Sequence, residues 1–117
     1  MNFLEEGAFI MKLVIAVIQD SDAGRLIENL TEKKFGVTKL ASTGGFLRNG
    51  NTTLMIGVDE ERIDELLTVI ERICHPRKKI VTPLPAGPQD TYMPYPVEVS
   101  IGGATVFVLN IERAVKL

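Results

Sequence analysis

Two hydrophobic periods alternate along this chain. Residues 12–19 (KLVIAVIQ) form a short continuous apolar run rich in Val and Ile, which predicts a buried central strand. Ala23, Leu26, Ile27 and Leu30 then recur at helical spacing, so residues 21–34 read as an amphipathic helix. Asp20, Ser21 and Asp22 stand at its start as N-cap oxygens, and Gly36 stands after it as a stop. Residues 37–43 alternate apolar and polar, as a half-solvated strand does. Residues 44–51 (GGFLRNGN) hold no period and read as a loop, and residues 52–58 (TTLMIGV) read as the next strand. Asp59 caps a second helix, with Glu60 and Glu61 in the first turn where the helix dipole favours them. Its apolar stripe is Ile63, Leu66, Leu67, Ile70 and Ile73, and Pro76 ends it.

Residues 79–82 predict a short strand. Five of the six prolines fall within residues 83–96, which makes that segment a constrained loop. Residues 97–101 and 104–109 read as strands joined by Gly102-Gly103, a hairpin signal because a type I′ turn needs positive φ at both positions. Residues 111–117 read as a helical turn or as irregular chain. The order β-α-β-β-α-β with an extra hairpin strand is an α+β, ferredoxin-like sandwich. Each helix has one apolar stripe, so both cover the same face of the sheet. The first strand is apolar on its other face too, which requires a cover, and another copy of the chain supplies one. Residues 1–10 (MNFLEEGAFI) carry Glu5 and Glu6 in place of a basic signal-peptide start. They read as an N-terminal extension or leader, and residues 11–117 as the domain.

Composition narrows the function. At 117 residues, 45% hydrophobic and 24% charged, the chain is one globular domain. A net charge of −2 leaves no basic footprint for nucleic acid, whereas a small anionic ligand needs only a local cluster of donors. No run nears the roughly 18 apolar residues of a membrane span. The single cysteine, Cys74, allows no intrachain disulfide and has no metal-ligand spacing around it, which suits the cytoplasm.

Catalytic candidates are few. His75 follows Cys74 directly, about 100° round a helix, so the two make no ready dyad. Cys74 continues the apolar stripe and reads as core. Asp20 and Asp22 read as caps, and Glu60, Glu61, Asp64 and Glu65 as a solvated acidic face. Arg77, Lys78 and Lys79 read as surface charge, with a ligand phosphate or a partner as the other use. Tyr92 and Tyr95 lie among prolines, placed for subunit packing or for closing over a ligand. The expectation is no enzyme, no catalytic residue, no metal and no cofactor.

Residues 45–52 (GFLRNGNT) nearly match the P-loop pattern, but Asn51 stands where the lysine belongs and a strand follows where a helix should. Those losses remove the charge stabilisers of nucleotide hydrolysis. The binding chemistry survives. Gly44, Gly45 and Gly50 let backbone amides approach an anion, and Arg48 adds a forked cation. Asn51, Thr52 and Thr53 add hydrogen-bonding groups, and Phe46 and Leu47 can cap a purine. Two readings stay open from the residues alone: a base-and-phosphate cradle, or a glycine-rich turn whose Phe46 plugs a subunit contact.

The run TKLASTGGFLRNGNTT (residues 38–53), with YMPYPVEV (92–99), GGATVFVL (102–109) and KLVIAVIQDSDA (12–23), resembles the PII-like cyclic-di-AMP receptor family. The resemblance covers nearly the whole chain from Met11 on. It implies a ferredoxin-like homotrimer that binds cyclic di-AMP in clefts between subunits and catalyses no reaction. Two long loops would rearrange on binding and signal to a downstream protein partner. The family's ligand contacts carry over to Thr38, Phe46, Leu47, Asn51, Gly57 and Phe107, with Gly45 and Arg48 in the same loop. Lys34 and Gly36 stand where the family typically has Asn and Arg, and Lys116 where it has Gln. Gly36 removes a side chain able to read a base or a phosphate. That leaves another adenine nucleotide such as ATP as an alternative ligand, and a ligand-free structural trimer that docks a protein as a third reading.

Overall fold

The computed structural model describes residues 11–42, 50–82 and 96–117. The segment expected as an N-terminal extension (1–10), most of that expected as a glycine-rich loop (43–49) and that expected as a proline-rich loop, with Tyr92 and Tyr95 (83–95), lie outside the described residues. Among the described residues, six strands and two α-helices follow in order: β1 (Met11–Gln19), α1 (Asp20–Glu32), β2 (Gly36–Ser42), β3 (Asn51–Asp59), α2 (Ile63–Cys74), β4 (Arg77–Val81), β5 (Val97–Ile101) and β6 (Ala104–Asn110). β1 is central, as its apolar run predicts. It pairs antiparallel with β3 on one side and β6 on the other, in a sheet ordered β2-β3-β1-β6. This is the ferredoxin-like order, with β6 in the place of the fourth strand.

Period-two alternation divides the sheet into two faces. Val14, Ala16 and Ile18 of β1, and Leu54, Ile56 and Val58 of β3, are buried beneath the helices. Leu26 and Leu30 of α1, with Leu66, Val69, Ile70 and Ile73 of α2, complete one continuous core. The expected stripe of α2 is thus widened by Val69, and Cys74, 1% exposed, lies in the core as its place in the stripe predicts. Asp59 caps as expected: its Oδ1 accepts the Glu61 amide at 3.1 Å, opening a 3-10 turn (Glu60–Arg62) that leads into α2. Residues 111–117 carry no helix.

Three expectations need correction. The first concerns the hairpin over Gly102-Gly103. Both glycines do have positive φ, 83° and 90°, but β5 pairs with β4 in a separate two-stranded ribbon while β6 pairs with β1. The amides of the pair bond to other elements: Gly102 N–H to Gln19 Oε1 at 2.7 Å, and Gly103 N–H to the Cys74 carbonyl. A Cβ at Gly102 would collide with the His75 carbonyl and the Arg77 guanidinium, so glycine is required for approach as well as for φ. The pair carries the chain between sheets, and the alternation of Val106 onto the core draws β6 to the β1 edge.

The second concerns the start of α1, which has no side-chain cap. Its first amide, on Asp20, donates to the Gly50 carbonyl at 2.9 Å, and the Asp20 carboxylate accepts from the Thr52 hydroxyl. Asp22 is 2% exposed and pairs with Arg77 at 2.8 Å, so Arg77 is no mere surface charge. The third concerns the end of α1. Gly36 begins β2, and Lys34 takes the left-handed position at φ 65°. Phe35 N–H bonds Leu30 O at 2.9 Å and Lys34 N–H bonds Thr31 O at 3.0 Å, the 6→1 and 5→2 pair of a Schellman motif. Arg62 seals this end: its guanidinium lies 3.9 Å from the Phe35 ring centroid and donates to the Lys33 carbonyl at 2.8 Å.

Candidate ligand-binding face

Among the described residues, the helices leave one face of the sheet open. Register aligns its residues in rows across the strands: Gly36, Gly57, Leu13 and Leu109 in one, Thr38, Met55, Ile15 and Phe107 in the next. Phe107 is 54% exposed and Leu109 43%, so this surface is apolar and wet at its β6 side. At its β2 side, Gly36 and Gly57 face each other with no side chains between them. A Cβ at Gly36 would meet nothing within 4 Å. The surface there is bare backbone, flanked by Thr38 on the same strand face.

Asn51, at the other end of β3, points the same way by parity and pairs with Gln19 of β1. These two residues line a cavity of about 200 Å³, together with Gly102, Gly103 and Thr105. Drug-sized pockets span roughly 300–1,000 Å³, so one chain encloses room for only part of a dinucleotide.

Of the residues singled out by sequence, Thr38, Asn51, Gly57 and Phe107 share this face, and Gly36 lies beside Gly57. Lys34 is exposed at the helix end just before β2. Gly45, Phe46, Leu47 and Arg48 lie outside the described residues. The described positions do not converge on a point. Asn51 and Gly57 are six residues apart on one strand, about 20 Å, and Thr38 and Phe107 are separated by three strand spacings, about 14 Å. A single compact pocket within one chain cannot hold them all.

Burial, with the Asp22 carboxylate nearby, pushes the Cys74 thiol up to about 11, so it stays protonated near neutral pH. His75 Nδ1 lies 2.9 Å from the Arg72 carbonyl. Among the described residues there is no cluster of three or more metal-ligating side chains, and no helix is long and apolar enough to cross a membrane. Sequence reasoning missed two features. Gln19 closes an apolar run and offers no signal that its amide meets Gly102. Asp22 and Arg77 are 55 positions apart, a separation that no periodicity links.

An antiparallel four-stranded sheet, two helices on one face and an open apolar face on the other define a ferredoxin-like module of the PII-like kind. The chain belongs to the cyclic-di-AMP receptor family, whose model matches residues 11–117. It is 42% identical to a functionally unknown protein from Pediococcus pentosaceus, over 94% of this chain and 100% of that one, with a TM-score of 0.75. A DUF3240-family protein from Shewanella baltica shares the fold at 12% identity and a TM-score of 0.55, over 92% of this chain and 96% of that one.

Proposed function

We propose that this protein is a cytoplasmic signalling receptor that binds cyclic di-AMP between neighbouring copies of a homotrimer. The observation that carries this reading is the family match over residues 11–117, in a chain whose family-type positions Thr38, Asn51, Gly57 and Phe107 share one open face. Their spread of roughly 14–20 Å favours a ligand held between chains, where residues from two copies close on it. The bare Gly36–Gly57 patch accepts a ligand against backbone, and Asn51 offers a carboxamide suited to an adenine edge. The output goes to a protein partner through rearrangement of the two long loops. The role is receptor rather than enzyme, and it needs no cofactor.

Titration calorimetry with cyclic di-AMP tests the proposal, with one ligand per chain as the expected stoichiometry. Absence of heat at high ligand concentration, with a folded protein in the cell, would sink it. Gly36, standing where the family typically has Arg, favours one competitor: a sensor of another adenine nucleotide. A thermal-shift series with ATP beside cyclic di-AMP separates the two, because a bound ligand raises stability according to its concentration over Kd. A larger shift with ATP selects the competitor, and no shift with either selects a structural trimer that docks a protein.

A further inference from the structure

The cavity beside Asn51 has a second carboxamide on its wall. Gln19 ends β1 and is the antiparallel partner of Asn51, which brings their Cβ atoms to about 4.5–5.5 Å. Gln19 Oε1 accepts the Gly102 amide at 2.7 Å. A backbone N–H only donates, so the oxygen of the amide must face Gly102, which decides the flip of the side chain. With its oxygen engaged, the amide has its two N–H donors left to offer. Among the described residues, none accepts from its Nε2.

The lining says which part of a nucleotide fits. Gln19, Asn51 and Thr105 are neutral, and Val17, Ile18 and Ala104 are apolar. Among the described residues no Lys or Arg lines the cavity, so a phosphate would find no counter-charge from them. A purine edge needs none, and about 200 Å³ suits one base with its sugar and phosphate outside. We propose that Gln19 reads the nucleotide base: its Nε2 donates to a purine ring nitrogen held beside Asn51, with its orientation set by the Gly102 amide. This assignment rests on the receptor reading above and adds a specificity residue to it.

Two substitutions separate donation to ligand from bracing of Gly102. Gln19→Glu keeps an acceptor for the Gly102 N–H but turns a carboxylate oxygen towards the base nitrogen. Gln19→Met removes both functions. Calorimetry with cyclic di-AMP on each variant, with unliganded melting temperatures as the fold control, gives the expected result of roughly tenfold or greater weakening in both. The Gln19→Glu loss is expected to persist in about 1 M salt, where the screening length of about 3 Å suppresses repulsion between carboxylate and phosphates. Binding by Gln19→Glu within about threefold of the unmodified protein at that salt, while Gln19→Met is weakened, would show a brace only and overturn the proposal; binding by both variants as tight as that of the unmodified protein would overturn it as well. Those outcomes leave the receptor reading standing, whereas silence from the unmodified protein removes that reading and this one with it.

Discussion

At the scale of single residues, the end of α1 carries a correctable defect. Lys34 holds φ 65°, a conformation that is unfavourable for a residue with a Cβ by about 1–2 kcal/mol. The Schellman bonds around it and the burial of Phe35 and Leu30 hold it there. Glycine relieves the strain but gains freedom when unfolded, at a cost of roughly 0.5–1 kcal/mol. Lys34→Gly should therefore raise stability by about 0.5–1 kcal/mol, read as a higher urea midpoint with unchanged slope. A lower midpoint would contradict the left-handed geometry. The sequence offered Gly36 as the stop because glycine is the usual residue there. Local chemistry alone does not reveal that buried Phe35 selects the turn two residues earlier.

At the scale of elements, the Asp22–Arg77 pair ties the start of α1 to the start of β4 and so anchors the β4–β5 ribbon. Hydrogen bonding to the Asp22 carboxylate raises the Arg77 pKa further and keeps the guanidinium charged. Arg77 also donates to the His75 carbonyl at 3.1 Å, in the corner that Gly102 approaches. Removing Arg77 strands a carboxylate that is 2% exposed. Loss of one partner from a buried pair costs about 3–5 kcal/mol, and water reaching Arg77 reduces this to about 2–4 kcal/mol for Arg77→Ala. The double replacement Asp22→Leu with Arg77→Met should cost less than Arg77→Ala alone, since no charge is left unpaired. Chemical denaturation of the set checks this, and strictly additive losses would argue against the pair as the anchor.

At the scale of the whole molecule, the open face determines behaviour. Leu13, Ile15 and Leu109 make it apolar, and apolar faces of this kind mark contacts between chains. The proposed trimer buries them. Leu109→Lys places a charge there without touching the helix-side core. It should lower the mass measured by light scattering to that of one chain, with secondary structure intact. An unchanged oligomeric mass would show that this face is not the contact. The same variant should lose cyclic-di-AMP binding, because a ligand held between chains cannot outlast their separation.

The sequence by itself determined the elements and the class of fold. The apolar runs of β1 and β3, and the period of 3.6 in α1 and α2, are local properties that burial then enforced. It also carried the family motifs, since those are contiguous runs. Only the tertiary structure decided how β5 and β6 separate, because pairing of β6 with β1 competes with the hairpin that Gly102-Gly103 signals locally. It likewise made Asp22 an ion-pair partner rather than a cap, and set Gln19 beside Asn51 with its oxygen committed to Gly102. These are contacts between residues 32 to 83 positions apart, and they arise from which faces and edges remain once the core is packed.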